Sequence, residues 1–164
     1  MPFDKKAYPR KGNWPKKDPT AKAYKPKRGK LAPLMTEEQK TTANIQDLSY
    51  DFSCRIIRLF QYLTEDAAYK EFVMSKQVYR SGTSLGANVR ESQHAQSDND
   101  FLSKMSIALK EADETDYWLN LLHDNGYLND EQFCSLNSDI QRILRLLNAI
   151  VKSTKKRIED AKNK

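Results

Sequence analysis

Proline is absent from residues 34–164. All six prolines, Pro2, Pro9, Pro15, Pro19, Pro26 and Pro33, lie before that point in a chain of 164 residues. Proline removes a backbone donor and interrupts helices and strand ladders alike, so so uneven a distribution marks a boundary. It divides the chain into an N-terminal arm, 1–33, and a body, 34–164. Cysteine and histidine are scarce, with two of each. Cys54 and Cys134 form no CxxC pair, and no Cys/His cluster has metal-ligand spacing. Both fall within apolar helical patterns and are expected as reduced, core or half-core thiols. Long apolar runs are missing too. The longest is a few residues, against about 20 needed to cross a bilayer. The basic N-terminus is followed by no apolar stretch of the secretory kind. The expected location is cytoplasmic, with no membrane partner.

Acidic charge is what the arm lacks. Residues 1–30 hold eleven Lys or Arg against two Asp, a net of +9, whereas the remaining 134 residues carry a net of −3. The +6 of the whole chain is therefore a property of the arm. Such asymmetry points to a polyanionic or acidic-surfaced partner. The arm has few aliphatic residues to bury, and is expected to be extended or disordered when alone.

Strand signals are also missing, since no segment sustains period-two alternation. The body reads as helix throughout. Ile45, Leu48, Phe52, Ile56, Leu59 and Leu63 step by three and four. So do Phe101, Met105, Ala108, Ala112, Thr115, Leu119 and Leu122, and again Phe133, Leu136, Ile140, Ile143, Leu147, Ile150 and Thr154. These are amphipathic stripes of the bundle type. Residues 97–100, Ser-Asp-Asn-Asp, supply N-caps, Asn125-Gly126 a C-cap pair, and Asn129 or Asp130 the next N-cap. The pattern predicts helices at about 44–64, 69–95, 98–124 and 129–159. Short connections make an all-α, up-down-up-down four-helix bundle.

Two glycines fall inside the second predicted helix, in RSGTSLGANVRES, residues 80–92. An interior glycine costs a helix about 1 kcal/mol relative to alanine. Gly82 and Gly86 lie four apart, hence on one face, widened by Ser81, Ser84 and Ala87. A face of small residues serves close approach of another backbone. The neighbour is a second helix of the bundle or of another subunit. A phosphate loop would need GxxxxGK[ST] or GxGxxG after a strand, and neither is present. Asn88, if buried, needs hydrogen-bond partners from Glu91 or the next helix.

The same run resembles the R-x-x-x-S-x-x-A-N-x-x-E signature of a bacterial four-helix-bundle family. That family is named for open reading frames in intervening sequences of large-subunit ribosomal RNA genes. Arg80, Ser84, Ala87, Asn88 and Glu91 occupy its fixed positions. Residues 100–128 are similar to the family's F-L-x-K-x-x-I-A-x-x-E-x-x-E-T-x-Y-W-L-x-L-L stretch. There Phe101, Ile107, Ala108, Glu111, Glu114, Tyr117, Trp118 and Leu119 match. The resemblance spans about 46–152. It implies a bundle that often assembles as a ring-like homopentamer. It also implies kinship with accessory variability proteins of diversity-generating retroelements, which bind nucleic acid and a reverse transcriptase and have no known catalytic activity. The long arm departs from the family's usual start.

In the arm, charge alternates with flat rings. Lys5, Lys6, Arg10, Lys11, Lys16, Lys17, Lys22, Lys25, Lys27, Arg28 and Lys30 can neutralise phosphates and release counterions. Tyr8, Trp14 and Tyr24 can stack on unpaired bases, at about 1–3 kcal/mol each. RNA is the expected partner. A second basic cluster, Lys152, Lys155, Lys156 and Arg157, lies near the C-terminus, where positive charge also complements the helix dipole.

The third helix is acidic. A di-metal bundle site needs two Glu-x-x-His motifs, but only Glu91-x-x-His94 exists, because position 120 is Asn120. No metal, cofactor or catalytic residue is expected. Glu111 and Glu114 are expected in ion pairs with arginines of the second helix, such as Arg80 or Arg90, or, with Glu91, at a subunit interface. Tyr117, Trp118 and Tyr127 are expected in the core by default, with one of the three as a subunit anchor if the bundle oligomerises. The combined expectation is a non-enzymatic RNA-binding ribonucleoprotein component. The alternative is an adaptor that docks on a reverse transcriptase.

Overall fold

The computed structural model describes Leu31, residues 33–66 and residues 70–163, with the Asp66 side chain left aside. The fourteen arm residues expected to contact RNA, Lys5 to Lys30, lie outside the described residues. The described chain is all helical, with four long helices packed together and one short helix before them. We number them α1 (Glu37–Thr42), α2 (Ile45–Gln61), α3 (Met74–Glu91), α4 (Asp98–Asp124) and α5 (Asp130–Lys162).

Caps set most of the boundaries. Thr36 and Gln39 form a reciprocal capping box at the start of α1, and Asn129 and Gln132 do so for α5. Asn44 accepts from the Asp47 amide at 2.9 Å, and Ser97 from the Asp100 amide at 3.1 Å. At the end of α4, Gly126 N–H donates to the His123 carbonyl and Tyr127 N–H to the Leu122 carbonyl. That paired closure needs a left-handed residue, and Gly126 supplies it with φ of 77°.

Two boundaries differ from the sequence pattern. A single wider turn, Tyr62–Asp66, extends α2, and α3 begins at Met74 rather than near 69. The later start has a local cause. The buried Glu71 carboxylate accepts from the amides of Val73 and Met74 at 2.8 Å and of Ser75 at 2.5 Å. One side chain thus satisfies three of the four donors that a helix N-terminus leaves unpaired. The other difference is α1 itself, whose six residues carry no apolar stripe.

Packing is heaviest between chain neighbours, α2 on α3, α3 on α4 and α4 on α5. That is the signature of an up-down-up-down bundle. The predicted stripes line its core, including Phe52, Ile56, Leu59, Met105, Leu119, Ile140 and Leu147. Phe101, Phe133 and Ile150 sit at its margin, and Val151 takes an interior place beside Ile150. Helix α5, with 33 residues, is about 50 Å long and α3, with 18, about 27 Å. The C-terminal turns of α5 are therefore the part of the bundle with the least cover.

Candidate functional site

Three surfaces hold the described residues with an expected role. The first is the α2–α3 seam. A Cβ built on Gly82 would lie 2.7 Å from Ile56 Cγ1, and one on Gly86 would overlap Ser53 Oγ and come within 3.3 Å of the Ser49 carbonyl. Both glycines thus allow α3 to sit directly on α2. Ser53 Oγ lies 2.8 Å from the Ser49 carbonyl and 3.2 Å from the Gly82 carbonyl, so one hydroxyl spans the seam. Ser81 turns to the other side, where its hydroxyl meets Thr115 of α4 at 2.9 Å with both residues fully buried. Ala87 is exposed, because its step around α3 carries it past the contact line. It borders an open groove of about 670 Å³ whose walls include Tyr50, Ile57, Tyr79 and Gly86.

Asn88 is half-buried and finds its partner on its own helix, donating to the Ser84 carbonyl at 2.9 Å. Neither Glu91 nor α4 is needed, because a side-chain amide reaches back one turn to a carbonyl that α3 leaves accessible.

The second surface is the α3–α4 flank. Glu91 accepts from Lys104 Nζ at 2.6 Å, and that contact holds the Lys104 pKa above its ordinary 10.5. Glu114 lies 3.6 Å from Arg80 Nη2 and accepts from Trp118 Nε1 at 3.2 Å. Arg80 is well exposed, so this pair adds little stability. Glu111 contributes its backbone, the carbonyl accepting from Thr115 at 2.7 Å. Trp118 and Tyr127 are half-buried against the core. Tyr117 is 58% exposed and meets Trp118 edge-on at 5.1 Å, which corrects the core placement. It points away from the stripe because it falls between Thr115 and Leu119. Cys134 is likewise exposed and Cys54 half-buried, since both flank the core stripes of their helices.

The third surface is the end of α5. Lys152, Lys155, Lys156 and Arg157 are all exposed. Lys152, Lys155 and Lys156 are spaced to share one side of the helix. Arg157 instead reaches Asp98 at the start of α4, at 2.6 Å. His94 is exposed, and His123 stacks on Phe133 at 4.2 Å with Nε2 2.9 Å from Asp130. The two histidines belong to separate surroundings.

A fourth constellation was not anticipated. Arg55 is fully buried, and its guanidinium donates to Asp139, to the Ser135 carbonyl at 3.0 Å, to Ser135 Oγ at 2.8 Å and, through Nε, to the Leu31 carbonyl at 2.9 Å. Lys40 of α1, also buried, donates to the other Asp139 oxygen at 2.5 Å and to Glu37 at 3.0 Å. Glu37 continues to Arg142 at 3.2 Å. The hydrogen bond from Lys40 holds the Glu37 carboxyl below its ordinary 4.5, against an opposing desolvation and with help from the charges of Lys40 and Arg142. Leu31, expected to have little to bury, is enclosed at the root of the arm. A signal existed for two of these residues. Arg55 falls three after Phe52 and four before Leu59, and Asp139 three after Leu136 and four before Ile143, so both interrupt core stripes.

Among the described residues no helix is long and apolar enough to cross a membrane. Residues 41–149 match the family described as 23S rRNA-intervening sequence protein. A solved structure is similar as well: a protein with unknown function from the S23 ribosomal protein family of Bacteroides thetaiotaomicron VPI-5482. It is 50% identical, with a TM-score of 0.64, and the similarity covers 66% of this chain and 99% of that one. No curated protein matches.

Proposed function

Because this chain belongs to the family of 23S rRNA-intervening sequence proteins, we propose that it is a non-enzymatic, cytoplasmic RNA-binding protein. In this reading the bundle forms a homo-oligomeric scaffold, a pentamer by the resemblance, and the arm contacts RNA. One observation carries it. The arm concentrates a net charge of +9 and three stacking rings, Tyr8, Trp14 and Tyr24, while the rest of the chain is net negative. The family match begins at residue 41, beyond the arm. Phosphate neutralisation supplies affinity without base readout, which implies steep salt dependence and low sequence specificity.

The C-terminal cluster is a second contact in this reading. The Leu31 carbonyl accepts from Arg55, which also donates to Ser135 and Asp139 of α5. Lys155 lies sixteen residues further along α5, about 24 Å away. An RNA that touched both would run along the α5 side of the bundle. In a ring, the fields of several such clusters would add.

The deciding experiment compares the full chain with one lacking residues 1–30 on a single-stranded RNA at several salt concentrations. Truncation is expected to weaken binding at least tenfold, to flatten the salt dependence and to leave the helical signal intact. Equal affinity with and without the arm would defeat the reading. The second reading is an adaptor that docks on a reverse transcriptase. The exposed groove beside Tyr50, Ile57 and Tyr79 favours it, because apolar concavities of this size suit a protein partner. Co-purification with that enzyme, unaffected by loss of the arm but abolished by Tyr50→Asp, would favour this second reading over the first.

A further inference from the structure

The ion cluster between α1 and α5 has an arrangement that nothing in the proposed function uses. Helix α1 contributes no buried apolar side chain, and its only buried residue is Lys40. Its attachment is polar. Lys40 and Glu37 pair with each other one turn apart, and each also reaches α5, Lys40 to Asp139 and Glu37 to Arg142. Asp139 and Arg142 are themselves one turn apart, so the two short ladders face each other. Above them, the Leu34 amide donates to buried Asp51 at 2.6 Å and the Leu31 carbonyl accepts from Arg55. Among the described residues of this stretch, Leu31 is the one enclosed apolar side chain.

The charges balance on each side separately. Without α1, Arg55 still has Asp139, the Ser135 carbonyl and the Ser135 hydroxyl, all on α5. Without α5, Lys40 still has Glu37. Separation therefore leaves Arg55 paired with Asp139 and Lys40 with Glu37, so the most deeply buried ions avoid the situation that makes broken buried ion pairs so costly. Asp51 and Arg142, whose partners on the strap are the Leu34 amide and Glu37, turn to the water that enters as the strap leaves.

We propose that Leu31 and residues 33–42 form a strap held to the α2–α5 edge by this two-sided clasp, able to detach while α2–α5 stay folded. Its release frees the ten residues 33–42, about 30 Å of chain if extended. It also uncovers the edge along which α2 and α5 touch least. This holds whether or not the arm binds RNA, and its test does not involve RNA.

The test is amide hydrogen exchange of the full chain, read peptide by peptide. In the unmodified protein, the amides of 37–42 are expected to exchange through an opening separate from that of α2–α5, and faster in 1 M than in 0.05 M salt. Lys40→Met keeps the buried stem but removes the charge, and should raise exchange across 37–42 at least tenfold with α2–α5 unchanged. Arg142→Met should act in the same direction, less strongly. Should Lys40→Met prove too unstable to examine, low urea applied to the unmodified chain replaces it: the strap should open at concentrations that leave α2–α5 protected. Opening of 37–42 only together with α2 and α5 would overturn the proposal. So would protection of 37–42 that neither salt nor Lys40→Met changes.

Discussion

Helix α2 is held on its two sides by opposite means. Toward α3 the contact is made by removal of atoms: Gly82 and Gly86 carry no Cβ, so Ile56 and Ser53 seat almost against the α3 backbone. Toward α5 the helices touch over less of their length, and the gap is closed by Arg55, Asp139, Lys40 and the strap. The first seam tolerates no extra volume. The second tolerates no missing charge within the bundle. A seam of close-packed backbone gains stability from dispersion and fixed shape. A seam of buried ions gains little net stability, because desolvation offsets most of the attraction, but it penalises any unpaired arrangement strongly.

The charged side should break hardest. Asp139→Ala leaves Arg55 buried with only the Ser135 oxygens and the Leu31 carbonyl, and is expected to cost about 3–5 kcal/mol in urea denaturation. Replacing both partners, Arg55→Met with Asp139→Leu, should recover most of that loss. If the double variant is no more stable than Asp139→Ala, the pair is not what penalises the single change. Next comes the glycine side. Gly82→Ala gains about 1 kcal/mol of helix propensity but forces Ile56 to move, and overpacking typically costs about 1–3 kcal/mol. A net loss is expected, reduced when Ile56→Val is added. Additive single and double effects in that cycle would show that the two sites do not touch in solution.

The smallest effect is a titration. The Glu37 carboxyl is held below its ordinary 4.5 by Lys40, with Arg142 assisting and Asp139 facing the same Lys40. Its folded pKa lies below its unfolded one, so its contribution is complete above that ordinary value and lost as pH falls through the lowered one. Exchange of the strap amides, corrected for the intrinsic pH dependence of exchange, should rise over that acid range. Glu37→Gln should remove the dependence and leave α3 and its seam unchanged. Glu37 is two-thirds exposed, so the change should be modest.

The stripes from Ile45 to Leu63, Met105 to Leu122 and Leu136 to Leu147 were legible because helix period and burial are the same information written along the chain. Caps at Ser97, Asn129 and Gly126 were legible for a similar reason: each acts on amides or carbonyls within a few residues. The two glycines were readable as a close approach, since their cost to a helix demands a return elsewhere. Tyr117, Ala87 and Cys134 were less so, because position around a helix shows which residues can face a neighbour and leaves open where cover ends.

The sequence by itself determined that the body is helical, that its helices bury one stripe each, and that the net positive charge comes from residues 1–30. Tertiary structure alone decided the rest. Arg55, Lys40 and Asp139 lie 15 and 84 residues apart along the chain, from Lys40 to Arg55 and from Arg55 to Asp139, and only packing brings them together. No local rule makes a lysine in a six-residue polar helix a buried one. Its burial depends on a carboxylate 99 residues away and on a cation already beside it, and such non-local pairing has no period for the chain to display.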